Sequence, residues 1–379
     1  MNGKPRLHWT LYGLSGYAVA LAVQCVLMPP DWNGPGTMVP YLATPLLMLL
    51  FGPYLLVPQD AWIGSGDWWW LVRVLPLYLA HLAFFYGLLV RPGLVKHTRC
   101  GKKRRLFEMG LVACWSALGI WFAVPVVENH KLAVEGRLQG QSVRLAVVTD
   151  LHSCRYGEGQ RGLVEMVESG QPDIILMVGD IFDDRLPDGP TQAFVTEIVK
   201  RYPCVYVTGN HEFWSDRVCG MKIWMARAGV TVLQDDCRTF RVKGNVLDVC
   251  GVDDPTEMTD AYWTGLLKAA HAKSESAHFR ILLTHRPEYP DVYAQFGYDL
   301  VLAGHAHGGQ WRCPFVDFGT YSPDQHFFPR FSDGFYRLPN GTPMFVSRGL
   351  ARESSPVPRF FNHPEIAFID IESKTENEK

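Results

Sequence analysis

Leu300-Val301-Leu302-Ala303-Gly304-His305-Ala306-His307-Gly308-Gly309-Gln310 is an apolar run that stops at glycine and then delivers two histidines one residue apart. Such a run reads as a buried strand whose end opens into a tight loop, and the glycines let the backbone turn without a Cβ clash. Imidazole is the commonest side-chain ligand for divalent transition metals, so two of them at a strand end point towards an ion.

The same texture recurs upstream. Val143 to Thr149, Asp173 to Val178, Cys204 to Val207, Phe279 to Leu283 and Asp299 to Leu302 are short β-rich runs bounded by turn signals, several followed by helix-like segments. That alternation predicts an α/β domain, with functional residues in loops at the carboxyl ends of strands. The runs end in Asp150-Leu151-His152, Gly179-Asp180, Gly209-Asn210-His211-Glu212, His285, and His305-Ala306-His307. Any one of these endings is an ordinary turn, cap or satisfied core histidine. Five together, all in one direction of the chain, form a ligand set.

Carboxylate oxygen with imidazole nitrogen suits Mn, Fe, Zn or Co, and cysteine is absent from the set. Two ions need a group that reaches both, and Asp180, central in the set, is the candidate bridge. A hydroxide held between the ions would attack phosphorus in line, and His211 is placed to protonate the leaving oxygen.

The order Asp-x-His, Gly-Asp, Gly-Asn-His-Glu, a single His, then Gly-His-x-His resembles the calcineurin-like metallophosphoesterase superfamily over residues 142–371. Gly308-Gly309-Gln310, Ser347-Arg348-Gly349-Leu350 and Pro358-Arg359-Phe360 before Pro364-Glu365-Ile366 are similar to its membrane-anchored bacterial branch, which includes UDP-2,3-diacylglucosamine pyrophosphatases of lipid A biosynthesis. The resemblance implies two mixed β-sheets sandwiched between helices. It implies one ion on Asp150, His152, Asp180 and His307, and a second on Asp180, Asn210, His285 and His305. It also implies His211 as acid, with Asp183 orienting it. The chain departs from the branch at Ala351-Arg352-Glu353, which bears on specificity rather than on the metal set.

The resemblance does not reach the first 127 residues. There, Leu11 to Met28, Val39 to Val57, Trp68 to Val90 and Leu106 to Val127 are each about long enough to cross a hydrocarbon core of ~30 Å. Tryptophans 32, 62 and 68 to 70 sit near the ends of these stretches, and Pro40, Pro45 and Pro53 interrupt the second. The expected organisation is an α-helical membrane domain over 1–127, a polar linker over 128–141, the α/β domain over 142–371 and a polar tail over 372–379. The chain is expected in a bacterial inner membrane. The loop from Arg91 to Arg105 carries seven basic residues and no acid, which places it inside and the α/β domain outside the cytoplasm. Lys4 and Arg6 pull the other way.

A formal charge of -2 argues against a nucleic-acid partner, and nine cysteines without a CxxC pair suggest neither a zinc ribbon nor a disulfide framework. The expected partners are the membrane and a phosphorylated small-molecule or lipid substrate. Aromatic residues from Trp311 to Phe331, with Arg312 and Arg330 among them, read either as an apolar groove for acyl chains or as a β-rich insertion. The leading function is a membrane-anchored, metal-dependent phosphoester or pyrophosphate hydrolase on a lipid-linked or nucleotide-linked phosphate such as UDP-2,3-diacylglucosamine. An exported envelope or nuclease-type phosphodiesterase is the alternative. A non-catalytic sensor or assembly module is disfavoured, because no ligand is missing.

Overall fold

Val143 to Val148 alternates Val143, Leu145 and Val147 with Arg144, Ala146 and Val148, and the first set faces a core shared with eight other strands. The computed structural model describes residues 124–310, 312–313, 316–319, 321–352, 354, 359 and 361–373. The first three apolar stretches of the N-terminal third, and the fourth up to residue 123, lie outside the described residues; the last residues of the fourth, Val126 and Val127, open a β-strand instead. Among the described residues, no helix is long and apolar enough to cross a membrane.

In chain order the first half is β1 (Val126–Val134), β2 (Val143–Val148), α1 (Arg161–Gly170), β3 (Ile174–Val178), α2 (Gly189–Ile198), β4 (Cys204–Val207), α3 (Asn210–Trp214), α4 (Val218–Ala228) and β5 (Thr231–Val232). There follow β6 (Asp236–Val242), β7 (Asn245–Gly251), α5 (Asp260–Ala272), β8 (Phe279–Leu283), α6 (Pro290–Tyr293) and β9 (Leu300–Ala303). Two short hairpins come next, β10 (Arg312–Cys313) with β11 (Val316–Gly319) and β12 (Tyr321–Ser322) with β13 (His326–Phe327). The last strands are β14 (Gly334–Arg337), β15 (Pro343–Val346) and β16 (Glu365–Ser373).

Two mixed six-stranded sheets result, ordered β1-β16-β2-β3-β4-β5 and β14-β15-β9-β8-β7-β6. In the first, β2, β3 and β4 are parallel; in the second, β7, β8, β9 and β15 are. The core between the sheets takes alternate residues from both: Leu145, Val147, Leu176 and Val205 from one, Leu247, Ile281, Leu302 and Phe345 from the other. The intervening positions face outward. Leu282, Val301 and Met344 pack under Trp263 and Leu267 of α5, and Phe368 packs beside Gly170 of α1. Helices therefore cover both outer faces, giving the sandwich expected from the sequence, and β3 is buried along its whole length.

The segment 128–141 is not a linker throughout. Val126–Val134 pairs with β16 in parallel along its full length, from Val126 opposite Glu365 to Val134 opposite Ser373. Its polar residues hid it: Glu128, His130 and Lys131 sit on an edge strand whose ladder is filled on one side only, so a continuous apolar run is not required. Among the described residues, the aromatic segment after His307 forms two short hairpins, and Phe331 is buried while Phe328 is exposed.

The two sheets approach closely where β7 ends. A Cβ at Gly251 would lie 2.8 Å from Leu233 Cβ and would also overlap the buried Val207 side chain. Gly251→Ala is expected to cost roughly 1–3 kcal/mol by overpacking. Urea unfolding measures it, and an unchanged midpoint would show that the sheets have room to part.

Candidate metal centre

Parallel strands point their carboxyl ends one way, and the loops following β2, β3, β4, β8 and β9 therefore meet at one edge of the sandwich. Backbone hydrogen bonds lace the first two together: Asp150 N–H donates to Gly179 O (3.0 Å), His152 N–H to Asp180 O (2.8 Å) and Ser153 N–H to Ile181 O (3.1 Å). Asp150 in turn accepts from the backbone N–H of His305 at 3.1 Å, joining the loop after β9 to the other sheet. Five of the candidate ligands hold left-handed backbone: Asp150, His152, Asp180, His305 and His307, with φ between 47° and 65°. Non-glycine residues adopt that region at a cost of about 1–3 kcal/mol each, so the loops hold these side chains against local preference.

Asp180 is the centre of the set. Its Oδ1 accepts from the backbone N–H of His211 at 2.9 Å, and its Oδ2 lies 3.1 Å from His285 Nε2 and 3.6 Å from His152 Nε2. Asp150 Oδ1 lies 3.2 Å from His307 Nε2. The groups Asp150–His152–His307 and Asp180–His285–His305 each bring three ligand atoms within 4.8 Å of one another. The structure thus brings together all the histidines and aspartates expected as ligands. Asn210 lies at the start of α3, directly before the His211 amide that binds Asp180.

The second nitrogen of two of the imidazoles is already committed. His285 Nδ1 lies 2.9 Å from the carbonyl of Val178, and His152 Nδ1 lies 3.1 Å from Asp183 Oδ2. With Nδ1–H donating in each, the Nε2 atoms turn inward. His152 Nε2 and His307 Nε2 face each other at 3.3 Å, an approach that two lone pairs tolerate only with a proton or cation between them. Asn210 Oδ1 and His285 Nε2 are buried without a hydrogen-bond partner. Buried polar atoms are rarely left so; the His285 nitrogen lies 3.1 Å from Asp180 Oδ2, and Asn210 directly precedes the His211 amide that binds Asp180. The donor set fits divalent ions.

The electrostatics agree. Burial would lower the pKa of His285, but the carboxylates of Asp180, Asp150 and Asp254 raise it to about 10. Burial would raise Asp180, but His285, His211 and His152 hold it well below the usual carboxylate range. His211 stands at the rim with part of its ring exposed, 4.3 Å from the His152 ring and 4.8 Å from that of Trp214. Burial pulls its pKa down, and Asp180 together with the Asp184 hydrogen bond raises it to about 9, so it is a cation at neutral pH.

One assignment needs correcting. The carboxylate nearest His211 is Asp184, whose Oδ1 is 2.6 Å from Nδ1, whereas Asp183 Oδ2 is 3.5 Å away and serves His152. Adjacent residues in a turn point in different directions, and a spacing counted along the sequence does not resolve them. Glu212, the last residue of the Gly209-Asn210-His211-Glu212 block, joins loops rather than binding an ion. Its carboxylate accepts from the backbone N–H groups of Asp180, Ile181, Phe182 and Gly209 at 2.8–3.0 Å, joining the two loops that carry Asp180 and Asn210. Burial and the neighbouring Asp180 push it up to about 7.

A model of the family described as calcineurin-like phosphoesterase matches residues 143–309, the segment that carries every one of these ligands. Over those residues the chain is similar to the calcineurin-like phosphoesterase family. That match and the relatives named for phosphoesterases support a metal-dependent phosphoester hydrolase. Similar proteins include a Caenorhabditis elegans protein named for metallophosphoesterases, 28% identical over 73% of this chain and 58% of its own length. The metallophosphoesterase YkuE of Bacillus subtilis is 26% identical over 61% of this chain and 79% of its own length. The phosphodiesterase YaeI of Escherichia coli is 30% identical over 38% of this chain and 53% of its own length. This chain therefore spans little more than half the length of the first and the last of them. Among solved structures, TT1561 of Thermus thermophilus is similar over 56% of this chain and 91% of its own, at 12% identity and a TM-score of 0.38.

Because His285 is protonated without metal, an ion must displace its proton, and affinity rises with pH from neutral until the pKa of about 10 is passed. Titration of chelator-stripped protein with Mn²⁺ between pH 6 and 8 should show affinity rising about tenfold per pH unit for one released proton. A flat profile would contradict the charge state assigned to His285. Glu212→Gln places an amide N–H₂ against backbone donors and should destabilise the fold by roughly 1–3 kcal/mol while weakening metal binding. Urea unfolding and elemental analysis check it; wild-type values in both would deny the loop-joining role.

Proposed function

We propose that this protein is a membrane-anchored hydrolase of phosphoesters or pyrophosphates, working with two divalent ions on a lipid-linked or nucleotide-linked phosphate. The observation that carries the reading is the position of Asp180 Oδ2 between His285 and His152, at the junction of the two ligand groups. Asp150, His152, Asp180 and His307 would hold one ion, and Asp180, Asn210, His285 and His305 the other. Nitrogen and oxygen donors without thiolate suit Mn, Fe, Zn or Co. Ions in such a centre activate water and neutralise charge growing on phosphate oxygens.

The chain's own contribution is position and proton supply. Asp180 fixes the His211 backbone through the N–H bond, and Asp184 holds the ring by Nδ1 with the opposite nitrogen free to turn to a leaving oxygen. A cationic His211 at neutral pH donates a proton to that oxygen, a step worth roughly 10²–10⁴-fold. Glu212 keeps the Asp180 and Asn210 loops in register while this happens.

The side of the membrane decides which phosphates are reachable. Cys237 and Cys250, directly opposite each other on β6 and β7, form a disulfide. Disulfides persist in oxidising compartments, and together with the basic loop from Arg91 to Arg105 this supports a domain outside the cytoplasm. That placement favours lipid and cell-envelope phosphoesters. The likeness to UDP-2,3-diacylglucosamine pyrophosphatases favours a cytoplasmic nucleotide-linked substrate instead.

Detergent-solubilised protein with Mn²⁺ should hydrolyse bis-p-nitrophenyl phosphate, and Asp180→Asn should lose at least about 10²-fold together with both ions, as expected of a group that serves two metals. Near-normal turnover with metal retained would refute the bridging role. Run on phospholipids, undecaprenyl pyrophosphate and UDP-diacylglucosamine, the same assay separates the substrate classes. Preference for the UDP-lipid would move the domain to the cytoplasmic face.

A further inference from the structure

The two short hairpins after β9 lie beyond the segment matched by the family model, yet one of them touches the metal centre. The turn of the β12–β13 hairpin is Pro323-Asp324-Gln325, between Ser322 and its partner His326. Asp324 takes a left-handed φ of 56°, and its Oδ2 lies 2.9 Å from His305 Nε2. The same carboxylate oxygen meets the guanidinium of Arg286, whose Nη1 is 3.1 Å from His305 Nε2.

Proton bookkeeping fixes what this triangle can be. Arginine has donors only, so Arg286 cannot accept from His305, and a carboxylate has acceptors only. The arrangement without a clash puts a proton on His305 Nε2 and lets Asp324 accept from both His305 and Arg286. That tautomer leaves the Nδ1 lone pair free for the group formed with Asp180 and His285, whose ring lies 5.0 Å away. Arg286 is itself buried and immobile: its Nε and Nη2 bind the two oxygens of Asp254 at 2.7 and 3.2 Å, and its Nη2 lies 3.3 Å from Thr256 Oγ1. The turn is held as firmly. Gln325 spans the backbone of Phe331, accepting from its N–H at 2.9 Å and donating to its carbonyl at 2.8 Å.

We propose that Asp324 is a positioning residue that sets the tautomer and ring orientation of His305, so that the β12–β13 hairpin controls how tightly the ion of Asp180, Asn210, His285 and His305 is held. Carboxylates on the far nitrogen of a ligating histidine fix its ring and raise its basicity, and losing one costs roughly 10–100-fold in metal affinity. Asp324 is more than half exposed on its outer side, unlike the ligands, so this outer support is the part of the centre that solvent and neighbouring ligands reach.

This inference rests on the two-ion reading, and one titration separates the two. Full-length protein in detergent, stripped with chelator, is titrated with Co²⁺ while its visible absorption is followed. The unaltered protein should take two equivalents; fewer would contradict the two-ion reading itself. Given two, Asp324→Ala should weaken one step roughly 10–100-fold and alter its absorption band, leaving the other step unchanged. Asp324→Asn should recover most of the loss, because its Oδ1 still accepts from Nε2–H. Gln325→Ala, which loosens the turn without touching His305, should weaken the same step. Two unchanged steps in Asp324→Ala, or both weakened alike, would overturn the proposal, as would an Asn variant no better than Ala.

Discussion

Everything in this domain depends on keeping the Asp180 carboxylate ionised in a place that excludes water. Taking a carboxylate out of water is costly unless charge and hydrogen bonds replace the lost hydration. Here His285, His152 and the His211 amide surround Asp180, and the loops supplying them come from both sheets. The sandwich supplies the rigidity that this demands: left-handed backbone at Asp150, His152, Asp180, His305 and His307 survives because inter-loop hydrogen bonds and the strands below leave those residues no alternative. A centre of like-charged carboxylates and facing imidazole nitrogens is frustrated without a cation, and that frustration is the physical signature of a metal site.

Much of this was legible because the domain is buried on both faces. The strand at Cys204–Val207 is a bare apolar run and the one at Phe279–Leu283 is apolar but for Arg280, and each leads within three residues to a candidate ligand, Asn210 and His285. Edges were harder. β1 mixes Glu128, His130 and Lys131 with its apolar residues, and its pairing with β16 joins the two ends of the domain, which no local pattern announces. The cross-strand pairing of Cys237 with Cys250 depended on a hairpin register that spacing alone does not give.

The supports of the site were the least legible part. Ligands follow strands, so their spacing is constrained, whereas the groups behind them arrive from wherever the chain passes. Asp184 and Asp183 differ by one position and serve different histidines. Glu212 acts on backbone N–H groups, which carry no side-chain signature. Asp324 comes from an insertion whose aromatic residues suggested a groove, and Arg286, next to the ligand His285, reads in sequence as any basic residue. In each case the chemistry is ordinary and only the fold makes it specific.

The central claim is that Asp180 joins two ions, one held with Asp150, His152 and His307 and the other with Asn210, His285 and His305. Anomalous scattering from crystals of the protein loaded with Mn²⁺ tests it most directly. The account predicts two peaks flanking the Asp180 carboxylate, one beside each set of residues. A single peak, or a second one away from Asp180, would contradict it.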